Sequence, residues 1–258
     1  NKTEQFNVYV RITDMAGHIV LINSDGYIVD TALSPVSVYA VTKANENGIY
    51  GISDVAADKG VKLHIDANDT EDGDAKHYSG IKSVSYSVSA ELKGKMTETL
   101  KETTLYKFEN TTPVKSDLTT NWSGDILIDA EKNNSSKVVV TVTVEDNAGN
   151  VNTDTIELDI NISTPIIDVT FDNNTALNDT YFNASRTATV VITERSNHFN
   201  SVAATEGIII TAKDAEGNDV ENAYTISGWT DKAHGSNPDA ATHTATIAFK
   251  SDANYTFA

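Results

Sequence analysis

Apolar and polar residues alternate along much of this chain, and the pattern is clearest between Val138 and Glu145. Val138, Val140, Val142 and Val144 fall on one face, and Val139, Thr141, Thr143 and Glu145 on the other. A period of two predicts a β-strand with one buried face and one wetter face. Asp146-Asn-Ala-Gly-Asn150 then supplies turn chemistry, because Gly accepts positive φ and Asp or Asn side chains cap nearby amides. Alternation resumes from Thr155 to Ile160 and stops at Pro165, which has no N–H to give to a ladder. The same order occurs earlier: Phe6 to Thr13, then Asp14-Met-Ala-Gly-His18, a strand ending near Asp30, and Pro35. Asp14 and Asp146 are 132 residues apart, and Pro35 and Pro165 are 130 apart. A hairpin closing one module and a proline opening the next, twice over, predicts an array of β modules.

Residues 1–34 are expected to hold strands at Phe6–Thr13 and Ile19–Asp30, the latter bent at Ser24-Asp25-Gly26, as the terminal hairpin of a preceding module or an added ribbon. The first complete module, 35–164, is expected to carry seven strands: Ser37–Val41, Val61–Asp66, Ile81–Ala90, Thr97–Leu105, Ile126–Asp129, Val138–Glu145 and Thr153–Ile160. Ser53 ahead of Asp54-Val-Ala-Ala-Asp-Lys59 reads as one helical turn, and Lys107–Ser123, with Pro113, as a surface loop. The second module, 165–258, is expected to place strands at Ile166–Phe171, Arg186–Thr193, Gly207–Lys213, Asn222–Trp229 and Thr242–Lys250, with Tyr255 entering another. Asp214-Ala-Glu-Gly-Asn-Asp219 reads as a hairpin turn. Laid side by side, the two ends read as a second module without its last hairpin and a hairpin, 6–30, without its module. Sustained 3.6 periodicity with caps is absent, which excludes a helical domain.

A Val/Thr strand, D-x-A-G-[NH], a second strand, a short polar link with Pro and a new strand resemble the final hairpin of bacterial immunoglobulin-like (Big-type) tandem repeats of Gram-positive cell-surface proteins. Tyr181-Phe-Asn-Ala-Ser-Arg-Thr-Ala-Thr-Val-Val-Ile-Thr-Glu194, Trp229, His243-Thr-Ala-Thr-Ile-Ala-Phe249 and Asp252-Ala-Asn-Tyr-Thr-Phe257 are similar to the same repeats. The resemblance covers most of 138–258, and 36–137 only through Ser79-Gly-Ile-Lys-Ser-Val-Ser-Tyr86. It implies an all-β fold of tandem Ig-like β-sandwiches on a cell wall, cell surface or other extracellular site. It further implies a non-catalytic stalk or spacer whose partners are neighbouring Ig-like modules. The alternatives are an adhesin or carbohydrate-binding module meeting a host protein or glycan, and an accessory module of a secreted enzyme.

The 258 residues hold no cysteine, so the fold uses no disulfide. A formal net charge of −18 argues against nucleic acid and against anionic lipid. No run approaches the ~18 apolar residues of a spanning helix. Asn1-Lys-Thr-Glu-Gln5 leads directly into a strand, and the chain reads as an excerpt of a longer protein.

Candidate chemistry is sparse. Asp66, Asp69, Asp72 and Asp74 crowd one loop, and hard cations such as calcium take six to eight oxygens, but the spacing is not that of an EF-hand. A solvated acidic loop tip is the simpler reading. Asp146 and Asp159 lie near the junction at Pro165 and complete the set of candidate calcium ligands; Asp146, like Asp14, also suits an Asx cap of its turn. Trp122, in the long loop, and Trp229, on the Thr/Ser face of its strand, are the candidates for stacking a sugar. Six histidines (His18, His64, His77, His198, His234 and His243) show no metal spacing, and no nucleophile elbow or phosphate loop occurs. The sequence therefore predicts neither an enzyme nor a cofactor.

Overall fold

A computed structural model describes residues 4–24, 27–69, 78–92, 95–96, 103–109, 117–173, 181–182, 184–195, 197–234, 240–250 and 254–257. Among the described residues the protein is all-β apart from one short helix. Two compact units divide it: Asn1–Leu92 with Met96–Ile162, and Ser163–Ala258 with Lys93–Lys95.

Unit 1 opens with four short strands, β1 (Glu4–Phe6), β2 (Tyr9–Thr13), β3 (Ile19–Asn23) and β4 (Tyr27–Val29). β1 pairs with β4 and β2 with β3, which makes one long antiparallel hairpin interrupted at Asn7–Val8. The body follows as β5 (Val36–Ala40), β6 (Ile49–Gly51), β7 (Gly60–Asn68), β8 (Ile81–Leu92), β9 (Lys95–Met96), β10 (Thr103–Lys107), β11 (Asn121–Asp129), β12 (Val138–Asp146) and β13 (Val151–Asn161). One sheet runs β11-β7-β5, and the other β10-β8-β12-β13-β6 with β9 beside β8. The period-two pattern sorts these strands into a sandwich-like pair of layers. Leu63 and Ile65 from β7 and Ile128 from β11 meet Val84 from β8, four alternate valines of β12 and Ile160 from β13 in one core. Those four valines, Val138, Val140, Val142 and Val144, have no exposed surface. At about 25 cal/mol per Å2 of apolar area, such packing is the main stabilising contribution to the unit.

The expected strand list maps onto these elements with several differences; of the expected strand Thr97–Leu105, residues 97–102 lie outside the described residues and β10 runs on to Lys107. β6 was not foreseen, because three residues are too few to show a period. β11 begins at Asn121 rather than Ile126, so the region expected as a loop up to Ser123 already belongs to a sheet. Pro113 lies outside the described residues. Ser53–Lys59 forms turns, not a helix: Asp54 Oδ2 accepts the Gly51 amide at 2.9 Å, and Val55 is buried in the core. A single helical turn has too few hydrogen bonds to offset nucleation.

Unit 2 contains β14 (Ile166–Phe171), β15 (Thr187–Glu194), helix α1 (Ser201–Glu206), β16 (Ile210–Lys213), β17 (Tyr224–Ile226), β18 (Thr230–Lys232), β19 (Ala241–Phe249) and β20 (Asn254–Phe257). One sheet runs β14-β15-β19-β17 with β18 also on β19; the other is β16-β20. Ala188, Val190, Ile192, Ile247 and Phe249 form its core. The helix, absent from the sequence reading, is capped by Asn200, whose Oδ1 accepts the Val202 and Ala203 amides at 3.1 Å each.

Candidate metal centre

Three carboxylates that are remote in sequence meet at one end of unit 1. Asp30 leaves β4 on the way to Pro35, Asp69 follows the last residue of β7, and Asp146 ends β12. One oxygen from each lies within 4.8 Å of the others, and all three side chains are buried; Asp146 has no exposed surface. Backbone and neutral polar groups orient them. Asp30 accepts the Ser79 amide (2.9 Å) and the Ala32 amide (3.1 Å). Asp69 accepts the Gly80 amide at 2.5 Å and the Ser34 hydroxyl at 3.1 Å. Asp146 accepts the Asn150 amide and the Asn150 carboxamide, both at 2.8 Å. The same carboxamide donates to the Asp30 carbonyl at 3.1 Å and so ties the turn to the entering segment.

Like charges this close cannot all ionise freely in a dry site. Burial pushes the Asp69 carboxyl above its ordinary value, and the charges of Asp30 and Asp146 push it further. Two neutralising partners suit the cluster chemically: a proton on Asp69, or a hard cation that replaces water with carboxylate oxygens. Either would fasten the 30–34 segment to the ends of β7 and β12.

Of the residues expected as calcium ligands, Asp69 and Asp146 come together, and Asp30, which sequence reasoning missed, completes the group. Asp66 lies on β7 with its Oδ1 3.3 Å from His64 Nε2. Asp159 lies on β13 opposite Ile49 and is outside the group. Asp72 and Asp74 fall outside the described residues. Local spacing could not reveal a site whose members come from three separate loops; the one signal was an Asp shortly before Pro35.

Both tryptophans face inward. Trp122 shares the inner face of β11 with Gly124, Ile126 and Ile128, packs on the unit 1 core, and covers Gly124, where a Cβ would lie 2.7 Å from its ring. It is therefore a strand residue and not part of a loop. Trp229, between β17 and β18, donates its indole N–H to Thr205 Oγ1 at 2.9 Å and meets Phe199 edge-on at 5.1 Å. His243 is buried, stacked on Phe199 at 3.9 Å and bonded to Asp231 at 2.7 Å.

One contact set has the connectivity of a hydrolytic triad. Ser123 Oγ lies 3.0 Å from His64 Nε2, and His64 Nδ1 lies 2.6 Å from Asp125 Oδ1. A hydrogen bond to Asp125 raises the His64 pKa, and the Asp66 carboxylate raises it further. Lys62 holds the other Asp125 oxygen at 2.8 Å, so the group reads as a cross-strand ion network on the outer face of β7 and β11.

Comparison with known proteins yields no matching family model and no matching curated relative.

Proposed function

We propose that this chain is a non-catalytic structural segment of a bacterial cell-surface or secreted protein. Its two units act as tandem Ig-like β-sandwiches in a stalk or spacer. The observation that carries this reading is the parallel pairing of β6 with β13, Ile49 to Gly51 against Asp159 to Asn161. The chain enters the sandwich-like body of unit 1 just ahead of β5 and leaves it at the end of β13. Tension along the chain enters through β5 and leaves through β13, and the β6 pairing ties the segment that follows β5 to the leaving strand. The entering segment is fixed to the same strand. Asp154 Oδ2 accepts the Val38 amide at 2.9 Å, and Asn152 donates its carboxamide to the Ser34 carbonyl at 2.9 Å.

Recurrence supports the tandem reading. β2 and β3 pair Thr13 with Ile19, and β12 and β13 pair Glu145 with Val151, the same register displaced by 132 residues. The turns match as well. Gly17 and Gly149 have φ of 86° and 89°, and each donates its amide to the turn Asp carbonyl at 3.1 Å.

The experiment is a screen of the chain on a glycan array and on ester, peptide and glycoside substrates. The spacer reading expects neither retention nor turnover. Saturable binding or turnover that disappears with one local substitution would replace it with a binding or catalytic role.

A further inference from the structure

Four turns among the described residues are built on one plan. Asp14, Asn45, Asp146 and Asp214 each open a five-residue turn whose fourth residue is a glycine at positive φ: 86° at Gly17, 78° at Gly48, 89° at Gly149 and 85° at Gly217. In each, the first residue donates its amide to the carbonyl of the fifth, and its own carbonyl accepts the glycine amide at 2.9 to 3.1 Å. The first side chain also accepts the fifth amide in all four, at 2.8 to 3.0 Å. The turns differ at the residue before the glycine, which is Ala16, Asn47, Ala148 or Glu216. Asn47-Gly48 is the one Asn-Gly pair in the 258 residues.

That pair contains the parts of a reaction. An asparagine side chain holds an electrophilic carbon where the next backbone nitrogen can close a five-membered ring on it. A side chain on the following residue crowds this approach, and glycine has none. Asn47 and Gly48 are both exposed, and nothing lies within 4 Å of where a Gly48 Cβ would stand. No described residue bonds the Asn47 carboxamide. Asn45, by contrast, accepts two amides through its Oδ1 and is followed by Glu46. The Gly48 amide bonds to the Asn45 carbonyl at 2.9 Å in an exposed turn, where such bonds open at little cost.

We propose that Asn47 is a site of spontaneous modification, converting to aspartate and isoaspartate and so loosening β6. The Gly48 nitrogen loses its proton and bonds to Asn47 Cγ, while the carboxamide nitrogen takes a proton and leaves as ammonia. Water then opens the resulting succinimide. Attack at Cγ breaks its new bond to Gly48 and leaves aspartate in an ordinary backbone. Attack at the main-chain carbonyl breaks the original peptide bond instead, and the chain then runs through Cβ and Cγ as isoaspartate. That product carries an extra carbon in the main chain between positions 47 and 48. Gly48 and Ile49 cannot then both keep their bonds to Asn45 at 2.9 and 3.0 Å. Ile49 is the first residue of β6 and stands opposite Asp159 of β13, and Tyr50 beside it belongs to the core.

The test is incubation of the whole chain in mildly alkaline buffer, followed by peptide mapping with isoaspartate detection and by hydrogen exchange at Ile49–Gly51. Ammonia loss should begin at Asn47 ahead of every other asparagine and quicken as pH rises, because base removes the Gly48 proton. Exchange at β6 should be faster in the isoaspartate fraction than in fresh protein. Asn47→Ala, with the residue found in the Asp14 and Asp146 turns, should keep the fold and hold its β6 exchange through the same incubation. Asn47 still intact after other asparagines have converted overturns the proposal. So does isoaspartate at position 47 with exchange at β6 unchanged, or a β6 that loosens equally in the aged Asn47→Ala chain.

Discussion

Asp14 and Asp146 close the same five-residue turn, yet one stands in water and the other is fully buried. Asp14 caps the Ala16 and His18 amides at 2.9 and 2.8 Å and has a side chain 54% exposed. Asp146 caps Asn150 in the same way but also faces Asp30 and Asp69. One local motif thus serves as a turn cap in one place and as a turn cap plus a cluster member in the other.

The two positions should respond differently to substitution. Asp14→Ala removes exposed hydrogen bonds and should change the melting temperature of unit 1 by little, since solvent screens surface contacts. Asp146→Ala leaves the Asn150 amide and carboxamide short of acceptors and should cost about 1–3 kcal/mol. Parallel thermal melts check this, and equal effects would contradict the assignment.

The carboxylate cluster sets a pH dependence. Asp69 has a raised pKa in the folded protein, so without a cation its contribution to stability is complete below the unfolded value of about 3.8. That contribution is lost as pH rises through the folded pKa. In EDTA, Asp69→Asn should remove that loss and raise stability at neutral pH. Millimolar calcium should reverse the order, stabilising the parent but not the variant. A hundredfold excess over Kd adds about 2.7 kcal/mol. Melts that are identical in EDTA and calcium would leave the proton as the neutralising partner.

The network on the outer face of β7 and β11 predicts a titration. Its hydrogen bond to Asp125 keeps the His64 pKa above the ordinary value, so the associated stability is present below about pH 6.5 and fades as pH rises through the folded pKa. NMR titration of the imidazole should show the upward shift, and Asp125→Asn should move it back. Ser123 should resist a fluorophosphonate probe; labelling there would revive the triad.

Trp229 should behave as a packing residue. Trp229→Ala removes the indole from Phe199 and Thr205 and should cost about 3–5 kcal/mol, with α1 exchanging its amides faster. A variant as stable as the parent would return Trp229 to the surface.

What the sequence made legible was whatever lies within one strand or one turn. Val138 to Val144 announced their buried face, and Asp146-Asn-Ala-Gly-Asn150 its turn, because period and turn chemistry are local. Trp122 was misplaced because Gly124 interrupts the apolar alternation, although the indole fills that gap. The carboxylate group stayed half hidden, since Asp30, Asp69 and Asp146 are joined only by the way three loops converge at the end of a sandwich.

The most direct measurement of the spacer reading is the force response of unit 1. Pulled from its two ends, residues 36–161 should resist and then yield in one step, because β6 ties the segment after β5 to the leaving strand β13. The step should lengthen the chain by about 400 Å, near the extended span of this segment at roughly 3.3–3.6 Å per residue less its folded width. Gly51→Pro, which frees the end of β6 from Asp54 Oδ2, should lower the yield force while the lengthening stays similar. A gradual extension without a step, or a yield force indifferent to β6, would contradict the account.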